Sequence, residues 1–469
     1  MNRSRVDSAP SVRFQTLGCK VNRYDTESMA DSLWREGFRP AAEGERPDVV
    51  IVNTCAVTGR GESKSRQAVR KAARDFPEAA IVLAGCLPQL AGGKDTGLPV
   101  QGMVGTTNRS AIAEVVREAL RVRRQVSPTA AAAIVSASGP AASAPHAATV
   151  HFEEMPVETF AGRTRATVKI QEGCEQFCSY CIIPYARGPS RSRDPEKVVA
   201  ELRRLAAKGF REVVLTGIHL GVYGRDLAPA LNLAALLRQC LAVEGLDRIR
   251  LSSIEVTEVS GELIGLMGGE PRLCPHLHVP LQSGSDPVLK AMNRPYDTGE
   301  FLKVLDEARA GIPDLAVTTD VIVGFPGETV AQFAETVGFV RRAVFSRLHV
   351  FPFSRRAGTP AASLPAQVPA AERAHRAAQL IAVGREQALS FHQSLVGRVV
   401  QVLVEGGAAE PDRGPVPAKG TPVAEGLTGN YVRTVFPADN PAALANQLVP
   451  VRVERAEHWG VWAHPIDAD

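Results

Sequence analysis

Apolar positions over residues 12 to 122 fall in short runs separated by stretches with helical spacing. Val12 to Leu17 and Asp48 to Asn53 read as strands, with a helix from Thr26 to Glu36 between them. A helix at Ser63 to Arg74, a strand at Ala80 to Ala84, a short strand near Gly102 to Gly105 and a helix at Ala111 to Arg121 follow. Strands alternating with helices predict a parallel α/β sheet. Between Val126 and Val150 the pattern stops. The sequence there is rich in Ala, Ser and Pro, and Pro128, Gly139, Pro140 and Pro145 interrupt it, so it reads as a linker. The rhythm resumes from about Phe160 to Leu389, with strands at Ala166 to Gln171, Glu212 to Thr216, Arg248 to Ser252, His276 to Pro280, Ala316 to Val323 and Arg347 to Phe353. Six strands with helices between them predict an incomplete (βα)6 barrel. From about Phe391 to Trp462 the elements are short strands, Arg398 to Glu405, Tyr431 to Phe436, Gln447 to Glu454 and Gly460 to His464, around a Gly/Pro/Ala-rich loop at Gly406 to Gly426. That pattern predicts a small antiparallel barrel. The expected organisation is therefore an N-terminal parallel α/β domain over 11–122, a linker over 123–155, a partial barrel over 156–390 and a small β domain over 391–465.

The bulk numbers fit this plan. A length of 469 residues suggests roughly three domains, and 45% hydrophobic content supplies several cores. The segment Met1 to Ser11 is polar and no run of 18 apolar residues occurs, so neither a signal peptide nor a spanning helix is expected, and the expected address is cytoplasmic. With 54 Lys and Arg against 50 Asp and Glu, the net charge is only +4, so any surface for a nucleic acid must be local.

The eight cysteines bring in the chemistry. Cys174, Cys178 and Cys181 stand in a C-x3-C-x2-C spacing just past a predicted strand. Iron–sulfur cubanes are held by thiolates, and three thiolates for four irons leave one iron open to a cofactor or substrate. A structural zinc knuckle, the other reading, needs four ligands and usually shows paired C-x2-C units. No fourth Cys or His lies nearby, the next histidine being His219. Cys19, Cys55 and Cys86 each follow the carboxyl end of a predicted strand, where open α/β sheets bind ligands. One such cysteine would read as a small buried hydrophobe; three at one sheet edge point to a second iron–sulfur site. Cys240 and Cys274 stand outside any motif and read as structural.

Function in βα barrels gathers at the carboxyl face, which places Glu255, Gln282, Ser283 and Asp320 at a barrel mouth together with the cysteine loop. Three basic sets could meet phosphate: Lys64, Arg66, Arg70, Lys71 and Arg74 on one helix, Arg187, Arg191 and Arg193 after the cysteine loop, and Arg398, Arg433, Arg452 and Arg455 in the last segment. Each set also reads as ordinary solvated surface.

The order of motifs resembles the radical S-adenosylmethionine methylthiotransferases over nearly the whole chain. The phrases are Thr-Leu-Gly-Cys-Lys-Val-Asn at 16–22, Val-Asn-Thr-Cys-Ala-Val-Thr at 52–58, Ala-Gly-Cys-Leu-Pro-Gln at 84–89, Gly-Cys-Glu-Gln-Phe-Cys-Ser-Tyr-Cys-Ile-Ile-Pro at 173–184, Arg-Gly-Pro-Ser-Arg-Ser-Arg at 187–193 and Leu-Gln-Ser-Gly-Ser at 281–285. Gly-Cys-Lys-Val-Asn is similar to the branch that acts on N6-threonylcarbamoyladenosine beside the tRNA anticodon. Branches acting on isopentenyladenosine or on a ribosomal-protein aspartate are the alternatives, and a zinc-containing RNA-binding protein is the non-enzymatic one.

The resemblance implies two [4Fe-4S] clusters and S-adenosyl-L-methionine. Cys174, Cys178 and Cys181 would hold the cluster that cleaves the cofactor, giving a radical able to attack the unactivated C2 of adenine. Cys19, Cys55 and Cys86 would hold the cluster that delivers sulfur. Implied cofactor contacts are Tyr180, Thr216, Gly217, Ser253, Glu255, Gln282, Ser283 and Asp320, with Tyr180 packing on the adenine. Implied partners are a tRNA anticodon stem-loop, an electron donor such as flavodoxin or ferredoxin, and a sulfur source, with no membrane. The last segment resembles a TRAM domain, an RNA-binding β-barrel.

Overall fold

A computed structural model describes residues 9–92, 94–125, 135–137, 151–158, 164–405 and 422–466. By contact the chain divides into two compact units that do not follow chain order. The first gathers residues 1–160, 171–193 and 354–362, and the second holds 161–170, 194–353 and 363–469.

In the first unit six parallel strands lie in the spatial order Arg39–Pro40, Ser11–Thr16, Val49–Thr54, Ala80–Gly85, Gly102–Val104, Val135–Ala137. Strands covered on both faces read as unbroken apolar runs, and Val49–Thr54 and Ala80–Gly85 are buried throughout. Their side chains alternate between two cores. Val49, Ile51 and Val82 pack with Met29, Leu33 and Val116 on one face, and Val50, Val52 and Leu83 pack with Val69 and Ala72 on the other. The helix predicted from Thr26 begins earlier, at Lys20, because Val21, Asn22, Tyr24 and Asp25 are all buried; a polar buried turn has no apolar signature. The linker also needs correction, since Val135–Ala137 adds a parallel strand to the sheet edge beside Gly102–Val104. The remaining linker residues between 126 and 150 lie outside the described set.

In the second unit the six predicted barrel strands appear as Arg165–Lys169, Glu212–Thr216, Arg248–Leu251, His276–His278, Ala316–Val323 and Arg347–Pro352. They form two parallel three-stranded sheets, joined by parallel bridges from Ile249 to Leu273 and from Ser253 to His278. The result is an open half-barrel in chain order. The terminal segment is a closed five-stranded barrel built on Val402, Val404, Ala424, Phe436, Val451 and Ala463. One of its strands, Val423–Thr428, overlaps the predicted loop at 406–426 and corrects it. Charge fastens this barrel to the strand starts of the half-barrel. Arg250 donates to the carbonyls of Thr428 and Gly429 while its guanidinium is held by Glu212, and Arg165 pairs with Glu405. Cys240 and Cys274 are buried, and burial pushes their thiols up to about 12 and about 11, as structural cysteines should be.

Among the described residues no helix is long and apolar enough to cross a membrane.

Candidate metal centre

Cys19, Cys55 and Cys86 converge because Ser11–Thr16, Val49–Thr54 and Ala80–Gly85 are neighbours in one parallel sheet, with strands about 4.8 Å apart. In register, Asn53 pairs with Thr16 on one side and with Ala84 on the other, so the three chains leave the sheet together. Gly18, at φ +105°, allows the approach: a Cβ there would lie 2.8 Å from Cys55 Cβ and 3.1 Å from its Sγ. The loops are then pinned. Asn22 Nδ2 donates to the carbonyls of Leu17 and Thr54 at 2.8 and 3.0 Å. Ser65 Oγ accepts from the Cys55 N–H and donates to the Cys55 carbonyl. Cys19 is exposed, Cys55 half-buried and Cys86 buried.

The loop carrying Cys174, Cys178 and Cys181 belongs to the same unit. It runs from the short strand Gln171–Glu172 to the helix Ile183–Arg187. Gly173 opens it at φ +78°, and a Cβ there would lie 1.8 Å from the Pro189 carbonyl oxygen, so only glycine fits. The Cys174 N–H donates to the Gly188 carbonyl and the Cys181 N–H to that of Cys178. The Gln176 N–H donates to Cys174 Sγ at 3.4 Å.

The supports of the two trios share one packing. Cys86 is in contact with Ala56 and Ala186, the residue just before Arg187. Arg187 is 1% exposed; its Nη2 donates to Asn22 Oδ1 at 2.6 Å and lies 3.2 Å from Asp25, and its Nη1 binds Glu172. Burial works against this guanidinium, but Cys86, Asp25 and Glu172 outweigh it and hold it charged. Glu172, wholly buried and two residues before Cys174, also takes both nitrogens of Arg109 at 2.9 and 2.8 Å and faces Arg191 at 3.4 Å. Arg109 closes the network on Asp25 and Glu153, and Arg193 binds Glu154. The expectation that Arg187, Arg191 and Arg193 meet phosphate is therefore wrong: all three are buried and committed to carboxylates.

A third support comes from residues 354–362. The Ala361 N–H donates to the Ser179 carbonyl at 2.7 Å, and Arg356 donates to the Ala56 carbonyl at 2.7 Å and pairs with Glu62 at 2.6 Å. One short segment thus grips the loops of both trios.

The donor set fits iron–sulfur clusters. Burial pushes the Cys86 thiol up to about 11, with Arg187 pulling the other way, and burial likewise raises Cys55. A buried cation aimed at a thiol gains little, whereas one aimed at a thiolate bound to iron is matched. Among the described residues no group of three or more Cys, His, Asp or Glu has the geometry to share one metal ion.

In the second unit the other expected contacts stand at the carboxyl ends of the half-barrel strands. Thr216 is buried and its carbonyl accepts from Ile170; Gly217 follows it, half-buried; Ser253 is exposed. Glu255 is taken by Arg294. Gln282, at φ +66°, is bridged to Val321. Asp320 lies between His278 at 3.3 Å and His349 at 3.4 Å; burial opposes its charge, but these two histidines outweigh it and hold the carboxyl well below its usual range. Ser283 departs from expectation, because it is fully buried and its hydroxyl sits 3.3 Å from Thr336 Oγ1; it braces its loop. Tyr180 is half-buried on the cysteine loop. The residues that sequence reasoning passed over are Asn22, Ser65, Asp25, Arg109, Glu172 and Arg356. Only Asn22 and Glu172 had a signal, standing in or beside the cysteine phrases.

A parallel half-barrel with a three-cysteine loop is the architecture of the radical S-adenosylmethionine enzymes, and residues 168–340 match the Radical SAM superfamily, while residues 11–98 match the Uncharacterized protein family UPF0004. A solved methyltransferase of this kind, TsrM from Kitasatospora setae, shares the fold at a TM-score of 0.54 and 16% identity, over 76% of this chain and 77% of its own. The chain is 38% identical to the threonylcarbamoyladenosine tRNA methylthiotransferase MtaB of Bacillus subtilis, over 95% of this chain and 94% of the relative. It is 37% identical to the protein of the same name in Thermotoga maritima, over 84% and 86%. It is also 33% identical to the tRNA-2-methylthio-N(6)-dimethylallyladenosine synthase of Moorella thermoacetica, over 98% and 100%. The chain belongs to the radical S-adenosylmethionine methylthiotransferase family, in its threonylcarbamoyladenosine branch.

Proposed function

We propose that this protein places a methylthio group on C2 of an N6-threonylcarbamoyl-modified adenosine beside a tRNA anticodon. The observation that carries the reading is the convergence of Cys19, Cys55 and Cys86 at one sheet edge, in the unit that also holds the Cys174–Cys181 loop. One trio suffices to cleave S-adenosylmethionine; a second is what sulfur delivery requires. The substrate branch rests on the names of the relatives.

When bound, a [4Fe-4S] cluster on Cys174, Cys178 and Cys181 would supply the electron that cleaves S-adenosylmethionine, and one on Cys19, Cys55 and Cys86 would carry the sulfur that is methylated and transferred. The chain's own residues do the positioning. Gly173 sets the entry to the first loop, the Gln176 N–H stabilises the Cys174 sulfur, and Ser65 and Asn22 hold the Cys55 and Cys19 loops. Arg187 places positive charge against Cys86 and Cys19. In the second unit Thr216, Gly217, Ser253, Glu255, Gln282 and Asp320 are the candidates for contact with S-adenosylmethionine, and Tyr180 is one on the loop. The target base must leave its stack, which an anticodon loop permits at small cost. The closed C-terminal barrel is read as a TRAM-type RNA domain, although Arg398, Arg433 and Arg455 are already paired with Asp314, Glu425 and Glu457, and Arg452 with the Gly397 carbonyl. A flavodoxin or ferredoxin and an external sulfur source complete the set.

Nucleoside mass spectrometry of tRNA from a deletion strain tests the reading. The 2-methylthio form of threonylcarbamoyladenosine should vanish and return with the wild-type gene but not with Cys55→Ala. Persistence of that nucleoside while the isopentenyl product disappears would move the protein to the other tRNA branch. With purified enzyme, Cys174→Ala should abolish 5′-deoxyadenosine formation, whereas Cys55→Ala should retain it.

A further inference from the structure

Two of the three basic sets in the sequence are spent. Arg187, Arg191 and Arg193 are buried, and the arginines of the C-terminal barrel are engaged. The third set lies on the helix Gly59–Asp75. That helix buries Ser65, Ala68, Val69 and Ala72 against the sheet, which turns Arg60, Lys64, Gln67, Arg70, Lys71 and Arg74 to solvent. Arg66, counted with them in sequence, is drawn off to Glu62 and the Thr96 carbonyl. Lys71 and Arg74 share one acid, Asp75. Among the described residues the ion pairs of this helix's cations are those of Arg66, Lys71 and Arg74, and Arg60, Lys64 and Arg70 form none within 4.0 Å. Five cations against one acid on one helix face equal the +4 excess of the entire chain. A merely solvated face would be expected to intersperse the two signs.

The position matters as much as the charge. The helix begins four residues after Cys55, capped by Thr58, whose side chain accepts from the Gly61 N–H. From Arg60 to Arg74 the stripe runs about 21 Å away from the cysteine trio, at 1.5 Å per residue, with a cation on nearly every turn. We propose that the outward face of the helix Gly59–Asp75 binds the phosphate backbone of the RNA whose modified base reaches Cys19, Cys55 and Cys86. Long flexible cations spaced along a rod recognise backbone and not sequence, as suits an enzyme that reads its base elsewhere. The inference rests on the proposed RNA substrate and names the surface that substrate would use.

The test is fluorescence-anisotropy titration of a labelled, unmodified tRNA transcript against the full-length holoenzyme at several KCl concentrations. The variant is Arg60→Gln/Lys64→Gln/Arg70→Gln. The control is Arg238→Gln/Lys303→Gln/Arg341→Gln, which removes three exposed charges from helices of the other unit. Each lost phosphate contact lowers the slope of log affinity against log salt by about 0.7–0.9 and weakens binding about fivefold near 0.15 M salt. The stripe variant should thus lose about 2–3 units of slope and about 100-fold in affinity, with the control close to wild type. Equal weakening in both would mean that net charge alone acts, and wild-type binding by the stripe variant would mean that the surface lies elsewhere; either overturns the inference. Failure of the wild-type enzyme to bind the transcript in a salt-dependent way would instead remove the RNA substrate on which the inference rests.

Discussion

Replacing Glu172 with Gln removes one charge from a site where three guanidiniums meet. Glu172 is fully buried, takes two hydrogen bonds from Arg109 and one from Arg187, and lies 3.4 Å from Arg191. Arg109, Arg187 and Arg191 balance Asp25, Glu153 and Glu172 at three against three. After Glu172→Gln one cation is uncompensated. Arg191 suffers most, because its Nε and Nη2 already lack hydrogen-bond partners and burial already lowers its affinity for a proton. Breaking one side of a buried pair costs about 3–5 kcal/mol. Arg187→Gln should cost about as much with the opposite sign of residual charge, and it also strands Asn22 Oδ1. The double variant returns to two against two, so its cost should fall short of the sum of the singles by about 2–3 kcal/mol. Global unfolding of a chain with two units is not two-state, so the measurement is amide hydrogen exchange over residues 171–193. A cost of 3–5 kcal/mol accelerates exchange there by about two to nearly four decades. Single variants that each change exchange less than about fivefold, or a double variant equal to the sum, would refute the view that this network holds the cysteine loop.

Two further outcomes follow from single positions. Gly173→Ala should cost the protein the iron proposed for its 174–181 loop, because its Cβ would overlap the Pro189 carbonyl at 1.8 Å; Gly44→Ala, at φ +77° with nothing within 4 Å, should cost only the left-handed penalty of about 1–2 kcal/mol and leave the iron content of the reconstituted protein unchanged, so equal iron in the two variants would contradict the clash. Glu212, wholly buried, is opposed by its burial but held below its usual range by Arg250 and its neighbours. A depressed carboxylate stabilises fully above its unfolded value, about 4.3, and loses that contribution as pH falls through its folded value; amide-exchange protection over residues 212–216 should therefore differ most between wild type and Glu212→Gln at pH 7 and converge as pH falls through the folded value, and a difference constant with pH would exclude the mechanism.

The cysteine trios were legible because their signal is local. Each of Cys19, Cys55 and Cys86 follows a β-rich run, and consecutive βα units tend to place consecutive strands side by side, so separations of thirty-odd residues in sequence become adjacent strand ends. The network that supports them was not legible. It joins residues 25, 109, 153, 172, 187 and 191 through side chains alone, and ion pairs leave no periodicity. Arginine is mostly exposed, so Arg-Gly-Pro-Ser-Arg-Ser-Arg reads as surface when it is core. The exposed helix read the other way: Arg66 looked like part of its stripe, and only the fold shows Glu62 holding it back.

Glycine explains the remaining miss and connects it to the site. Residues 423–426 of the strand Val423–Thr428 fall within the expected loop, because the stretch Gly406 to Gly426 is rich in Gly, Pro and Ala. In the barrel a Cβ at Gly426 would lie 2.1 Å from the Leu403 carbonyl oxygen, so this glycine is what lets the strand Val423–Thr428 lie against Val399–Val404 and the barrel close. Gly18 and Gly173 do the same work at the cysteines, one admitting Cys55 and the other the Pro189 carbonyl. A glycine that marks a turn in sequence tolerates a methyl group once folded, as Gly44 has room to do; one that marks a close approach does not. The two kinds look alike in the sequence, and the glycines immediately before Cys19 and Cys174 are of the second kind.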